Sequence, residues 1–293
     1  MSSMKKRAIR ITLIILAVAV FYCIYNVWIS YHQLTVNKFE VHVAEDTSAI
    51  RLVVLSDLHD GTFGSENEEL VQTVSSQQPD IIILDGDMLN DDSAAHEPVV
   101  KLIEDLKSAC ACPIYYALGN HEIGYVESHP EFWDDIEAAG AVYLEQNYVD
   151  ITIGNRQLRI GGLYEYAFAL DDFNSVDLEK MDLAVVEFLQ DFRDTDAYKI
   201  MLAHRPDSFI FAEEPDYWDI DLVISGHVHG GQVVLPFLGE LWAPDQGYFP
   251  TYVHGSYEFG DMTMLITSGL GSHRQALPRF GNRPEVMVVD ITK

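Results

Sequence analysis

Apolar residues in this chain fall into one long uninterrupted run and a series of short ones. The long run covers residues 11–29 and contains no charge. The short runs at 50–56, 81–84 and 114–118 are largely apolar, broken only by Arg51 and Ser56 in the first, the pattern of strands buried on both faces. Between them, residues 66–78 place Leu70, Val71 and Val74 on one side and meet Pro79 beyond their end, which predicts a helix. Helical patterns recur at 97–108 and at 132–139, the latter stopped by Gly140. This β-α-β-α-β order predicts parallel strands covered by helices.

The chain then becomes strand-rich. Residues 142–144, 148–153 and 157–162 read as successive strands, the last two turned at Gly154-Asn155. A helix is predicted near 177–192, and strands resume at 199–203, 222–225, 232–235, 262–267 and 286–291. An α/β fold follows: a four-layer α/β/β/α sandwich of two mixed sheets flanked by helices, preceded by one transmembrane helix. No internal repeat or low-complexity linker interrupts it.

The long run has the length of a membrane span, because at a rise of 1.5 Å per residue it covers roughly 28 Å. Lys5, Lys6, Arg7 and Arg10 precede it and only Lys38 follows closely, which favours a cytoplasmic N-terminus. The expected organisation is therefore a cytoplasmic basic segment at 1–10, an anchor at 11–29, a linker at 30–48 and a domain at 49–293. That domain would sit outside the cytoplasm, at the cell membrane. A cleaved secretory signal is the alternative. The stretch 21–28 lacks the small residues a cleavage site needs, and the run is long for a signal.

Composition narrows the function. The 293 residues are 48% hydrophobic, enough for one large catalytic domain, and the formal charge is −28. Once the four N-terminal basic residues are set aside, 14 basic residues face 46 acidic ones. Such a surface repels polyanions, so no nucleic-acid partner is expected. Cys23 lies in the apolar run. Cys110 and Cys112, one alanine apart, are consistent with a metal pair, a strained disulfide or two ordinary small residues at a helix end.

Five segments carry the chemistry, each just after a predicted strand: Ser56-Asp57-Leu58-His59, Asp85-Gly86-Asp87, Gly119-Asn120-His121-Glu122, Leu202-Ala203-His204 and Ser225-Gly226-His227-Val228-His229. Carboxylates, imidazoles and an amide oxygen suit hard-to-borderline cations. Strand ends are where open α/β sheets place their sites. Singly each segment reads as a surface turn. Together, in this order, they resemble the calcineurin-like metallophosphoesterase superfamily over essentially all of the chain from residue 50. The stretch 226–232 with Ser268-Gly269-Leu270-Gly271 and Pro278-Arg279-Phe280 resembles a bacterial branch that is membrane-anchored or secreted.

The resemblance implies two divalent metal ions, Mn2+ first, with iron or Zn2+ as alternatives. It gives Asp57, His59 and His229 to one ion and Asn120, His204 and His227 to the other, with Asp87 bridging through its two carboxylate oxygens. It implies in-line attack on a phosphoester by hydroxide held on the metals, with His121 as general acid or electrostatic partner of the leaving oxygen. A phosphodiester is favoured over a monoester, with a lipid or glycolipid head group as a further expectation from the anchor. The alternatives are a non-catalytic metal-binding scaffold of the same fold and a phosphomonoesterase or protein phosphatase. One departure stands out: Asn90 occupies the place of the aspartate usual in Gly-Asp-x-x-Asp, where it could still accept a hydrogen bond and hold the loop while altering metal affinity.

Weaker candidates complete the reading. Arg205 follows a ligand and could meet a phosphate oxygen or an acidic neighbour. Arg274 and Arg279 are placed near a substrate mouth. His96, His129, His254 and His273 lack ligand context. Phe237, Leu238, Leu241, Trp242, Tyr248 and Phe249 read as a proline-broken loop, packed in the core or forming a lipid-facing lip.

Overall fold

A computed structural model of the protein describes residues 3–44, 48–164, 166–167, 178–210, 215–273 and 277–293. Helix α1 (Ser3–His32) leads into β1 (Thr35–His42) and β2 (Ile50–Leu55). The first half continues with α2 (Glu68–Ser76), β3 (Ile81–Asp85), α3 (Glu97–Ala109), β4 (Ile114–Ala117), α4 (Asn120–Val126), α5 (Phe132–Ala139) and β5 (Ala141–Leu144). The second half holds β6 (Asn147–Ile153), β7 (Arg156–Gly162), α6 (Leu183–Phe192), β8 (Tyr198–Leu202), α7 (Asp207–Ile210) and β9 (Leu222–Ser225). It ends with β10 (Val233–Leu235), β11 (Gly239–Ala243), β12 (Gly247–Tyr248), β13 (Gly255–Phe259), β14 (Met262–Ile266) and β15 (Glu285–Thr292).

Two mixed six-stranded sheets form the body, in the orders β1-β15-β2-β3-β4-β5 and β13-β14-β9-β8-β7-β6. Strands β2 to β5 are parallel, as are β7, β8, β9 and β14, so the loops after them open at one end of each sheet. The two-residue period of a strand explains the layers. Leu52 and Val54 of β2, with Ile81 and Ile83 of β3, face Ile200, Leu202, Leu222 and Ile224 of the other sheet. Val53, Leu55, Ile82 and Leu84 point the other way, onto Leu70, Val74, Val99, Leu102, Ile103 and Leu106 of α2 and α3. Val185, Leu189 and Phe192 of α6 cover the second sheet. Each leucine in these layers is fully buried, and truncation to alanine costs about 2–5 kcal/mol. The four-layer sandwich stands as expected from the strand and helix order.

Several boundaries differ from the sequence reading. The expected linker at 30–48 contains strand β1, paired in parallel with the C-terminal β15 from Thr35↔Glu285 to His42↔Thr292. As an edge strand it buries only Val41, so its alternation is too weak to announce it. The aromatic segment read as a loop folds into a small third sheet, β10-β11-β12. The residues from 120 to 126, read only as part of a strand-end motif, form a short helix.

The last turns of α1 rest on the domain. Asn26, Ile29 and Ser30 are buried. The backbone of Asn282 donates to Ser30 Oγ at 3.3 Å, and that of Arg279 donates to Tyr31 Oη at 3.0 Å. The ring of Tyr22 meets that of Phe280 edge-on, 6.3 Å between centroids. By length and composition, residues 4–32 suffice to cross a membrane.

Candidate metal centre

Every expected ligand lies just beyond a strand that the core holds in place. Asp57 and His59 follow β2, Asp87 follows β3, Asn120 and His121 open α4 after β4, His204 follows β8, and His227 and His229 follow β9. The chain must turn sharply there to aim these side chains inward. Asp57, His59, Asp87, His227 and His229 all have positive φ, between 49° and 66°, a conformation costly outside glycine and characteristic of functional loops. At Gly86, φ +74°, there is no room for a side chain, since a Cβ would stand 2.7 Å from Gly119 Cα and 2.8 Å from His204 Nδ1.

Six of the seven side chains converge as two groups. Ligand atoms of Asp57, His59 and His229 lie within 4.8 Å of one another, as do those of Asp87, His204 and His227. Asp57 Oδ1 stands 3.6 Å from His229 Nδ1 and 3.9 Å from His59 Nε2. Asp87 Oδ2 lies between the groups, 3.1 Å from His204 Nε2 and 3.9 Å from His59 Nε2. Its other oxygen, Oδ1, accepts the His121 amide at 2.9 Å.

Among the described residues, several of these ligand atoms make no hydrogen bond. His59 Nε2, His204 Nε2, His229 Nδ1 and Asn120 Oδ1 are all buried without a hydrogen bond. Leaving one such group unsatisfied costs about 1–3 kcal/mol, so four of them point to a bound cation. The opposite ring nitrogens fix which atom faces inward. His59 Nδ1 donates to Asn90 Oδ1 at 2.9 Å, His204 Nδ1 to the Asp85 carbonyl at 2.6 Å and His227 Nε2 to Asp245 Oδ2 at 2.6 Å. Burial holds His59 below the ordinary imidazole range and His229 well below it, keeping both in the neutral ligand form. At His204 burial works the same way but is outweighed by Asp87 and Asp57, which push it well above that range. The field that retains a proton there also attracts a cation. Two carboxylates, four imidazoles and an amide oxygen fit a pair of borderline divalent ions.

Other side chains support this frame. Glu122 is buried and accepts from the amides of Asp87, Met88 and Gly119 and from the Tyr116 hydroxyl, at 2.8–3.1 Å, stapling the β3 and β4 loops together. Burial, reinforced by Asp87, pushes its carboxyl up to about 7. His121 sits at the rim with Nδ1 3.2 Å from Asp91 Oδ1, its ring 4.9 Å from that of His59.

Several minor expectations change. His273, given no site role from sequence, stands beside the centre: its Nδ1 lies 2.7 Å from Asn90 Oδ1 and its ring 5.0 Å from that of His121. Arg279 is fully buried and donates to the carbonyls of Ser268, Gly269, Gly271, Asn282 and Arg283, so it braces the loop instead of lining a mouth. Arg205 pairs with Asp207 and Asp245 at 3.0 Å. His96 packs with Tyr125 and Phe132 in the core, and His254 bonds Glu285. Arg274 lies outside the described residues. The roles of His273 and Asp245 carry no local sequence signal, whereas Glu122 follows directly from its place beside Asn120-His121.

The fold and this strand-end cluster define a dinuclear phosphoesterase scaffold. The Calcineurin-like phosphoesterase family model matches residues 50–231, and the chain belongs to that family. It is 30% identical over 284 residues to a metallophosphoesterase of Campylobacter jejuni, covering 96% of this chain and 69% of that protein. It is 27% identical to the metallophosphoesterase YkuE of Bacillus subtilis, with 81% and 77% of the two chains covered. It is also 27% identical to the phosphodiesterase YaeI of Escherichia coli, with 84% of each covered.

Proposed function

We propose that this protein is a membrane-anchored phosphodiesterase whose two divalent ions are held by the seven side chains. Asp57, His59 and His229 hold one ion, Asn120, His204 and His227 the other, and Asp87 both. The observation that carries this reading is the convergence of Asp57, His59 and His229 and of Asp87, His204 and His227, with His59 Nε2, His204 Nε2 and His229 Nδ1 buried and without a hydrogen bond. Bound there, a cation pair supplies Lewis acidity toward the phosphoryl oxygen and makes water acidic enough to attack near neutral pH. The chain's own part is to fix geometry: Asn90, Asp85 and Asp245 orient the imidazoles, and Glu122 locks the loops that carry Asp87 and Asn120. His121 gives a proton to the leaving oxygen. Asn120 contributes a neutral oxygen, which limits the negative charge facing a phosphate.

Diester chemistry draws support from the name of the Escherichia coli relative. The anchor reading draws support from α1, and a catalytic domain outside the cytoplasm draws support from its basic N-terminal flank. A lipid or glycolipid head group is then the substrate class, because the tether keeps the site beside the bilayer. The test is metal analysis with a substrate screen of the purified chain loaded with Mn2+, using chromogenic monoesters, diesters and pyrophosphate-linked lipids. Two ions per chain and preferential diester cleavage are expected. Fewer than two ions with no cleavage would return the protein to the class of scaffolds.

A further inference from the structure

Outside α1, the large apolar side chains most exposed to solvent concentrate on the small β10-β11-β12 sheet. Phe237, Leu238, Tyr248 and Phe249 are 108%, 71%, 71% and 70% exposed. Phe237 and Leu238 form the turn between β10 and β11, while Tyr248 ends β12 and the Phe249 amide donates to Leu241 at 3.0 Å. Across residues 233–249 the only charged residues are Glu240 and Asp245, and Asp245 is turned inward onto Arg205 and His227. A patch of this kind marks a surface that is covered when the protein works.

Its position identifies the cover. Strand β10 pairs with Phe280: Val233 bridges to it, and the Val234 amide donates to its carbonyl at 2.8 Å. Phe280 is also the residue whose ring meets Tyr22 of α1. Tyr22 lies seven residues inside Ile29, the outer end of the uncharged run, and at 1.5 Å per residue that is about 10 Å toward the membrane interior. A domain segment touching the helix at that depth lies at the level of the outer leaflet, and the sheet paired to it is carried there too. The domain's excess of acidic residues argues against electrostatic adsorption, so the contact must be apolar.

The same sheet reaches the metal centre. Asp245, in the turn between β11 and β12, accepts from His227, and Phe249 is four residues further on, at most about 14 Å along an extended chain. We propose that the β10–β12 sheet dips into the outer leaflet as a second membrane contact, so that the site takes phosphoesters of amphiphiles directly from the bilayer plane. This rests on the reading of α1 as a membrane anchor.

The experiment uses the full chain in phosphatidylcholine nanodiscs, with Cys23, Cys110 and Cys112 replaced by alanine and a nitroxide placed in turn at Val18→Cys, Phe237→Cys and Asp194→Cys. Asp194 precedes β8 and so lies at the end of the sandwich opposite the site. Labels at 18 and 237 are expected to be oxygen-accessible and shielded from aqueous nickel chelate, and the label at 194 the reverse. A shielded label at 18 with an aqueous one at 237 overturns the docking while leaving the anchor intact. An aqueous label at 18 overturns both. Cleavage of bis(4-nitrophenyl) phosphate by the same samples reports separately on the metal centre. In the double variant Phe237→Ser/Leu238→Ser, that soluble reaction should be unchanged. Cleavage of a 4-nitrophenyl phosphodiester carrying a dodecyl chain in the bilayer should fall roughly tenfold. An equal effect on both substrates, or on neither, sinks the proposal.

Discussion

Asn90 Oδ1 accepts the Nδ1 proton of His59 at 2.9 Å, and it is the only direct hydrogen bond recorded for that ring among the described residues. The amide therefore does for His59 what an aspartate would do at this position: it selects the tautomer and aims Nε2 inward. It also orders its surroundings, since Asn90 Nδ2 donates to Asp60 Oδ2 at 2.6 Å. Asn90→Ala will leave the His59 ring free to rotate and weaken the ion at Asp57, His59 and His229 by about 10–100-fold. Competitive chelator titration measures this, and unchanged affinity would remove Asn90 from the frame. Asn90→Asp should retain binding.

The proposed role of His121 is to act on substrate and not to ligate. Its backbone amide holds Asp87 Oδ1, while its side chain stands at the rim near Asp91. His121→Ala preserves the amide and removes only the imidazole. Turnover should drop by about 10²–10⁴ with two ions still bound. If ions are lost together with activity, His121 is a ligand and the division of roles is wrong.

The parts of this centre legible from sequence share one property. Asp57, His59, Asp87, Asn120, His204, His227 and His229 each adjoin an apolar strand whose place in the sheet is fixed by burial, so residue type and position speak together. Asp245 and His273 do not. They arrive on loops whose path depends on the β10-β11 pairing and on the buried guanidinium of Arg279, neither of which has a local pattern. Strand β1 escaped for a related reason. It is an edge strand with one buried side chain, and its partner β15 is at the other end of the chain. In the fold as a whole, the core strands and the edge strands β5 and β6 were predictable to within a residue or two, whereas the edge strands β1 and β13 were not.

Glu285 gives a pH-dependent prediction. It is buried at the start of β15 and accepts from Asn37 Nδ2, His254 Nε2, Thr267 Oγ1 and the Ser268 amide, at 2.6–3.0 Å. Burial opposes its charge, but His254 and these donors win and hold the carboxyl down to about 2. A depressed folded pKa contributes stability that is present above the unfolded value near 4.5 and is lost as pH falls from there toward 2. The shift corresponds to about 3 kcal/mol. Glu285→Gln should destabilise the chain by that order at pH 7 and make its denaturant midpoint nearly flat between pH 5 and 3, where the parent declines. A parallel decline in both proteins would locate the acid sensitivity elsewhere.

Asp245 offers the sharpest separation of the two ion positions. Its carboxyl receives His227 Nε2 and Arg205 Nη2 together, and these partners hold it below the usual carboxylate range. His227 belongs with Asp87 and His204, whereas the ring steered by Asn90 belongs with Asp57 and His229. Asp245→Ala will therefore loosen the second ion by about 10–100-fold while sparing the first, the reverse of Asn90→Ala. Combining the two tests whether Asp87 transmits between the positions. Independent sites give additive losses in chelator titrations, since groups that share no partner act separately. Because Asp87 Oδ2 lies against rings of both groups, the combined loss should exceed the sum, and strict additivity would argue against a shared bridging atom.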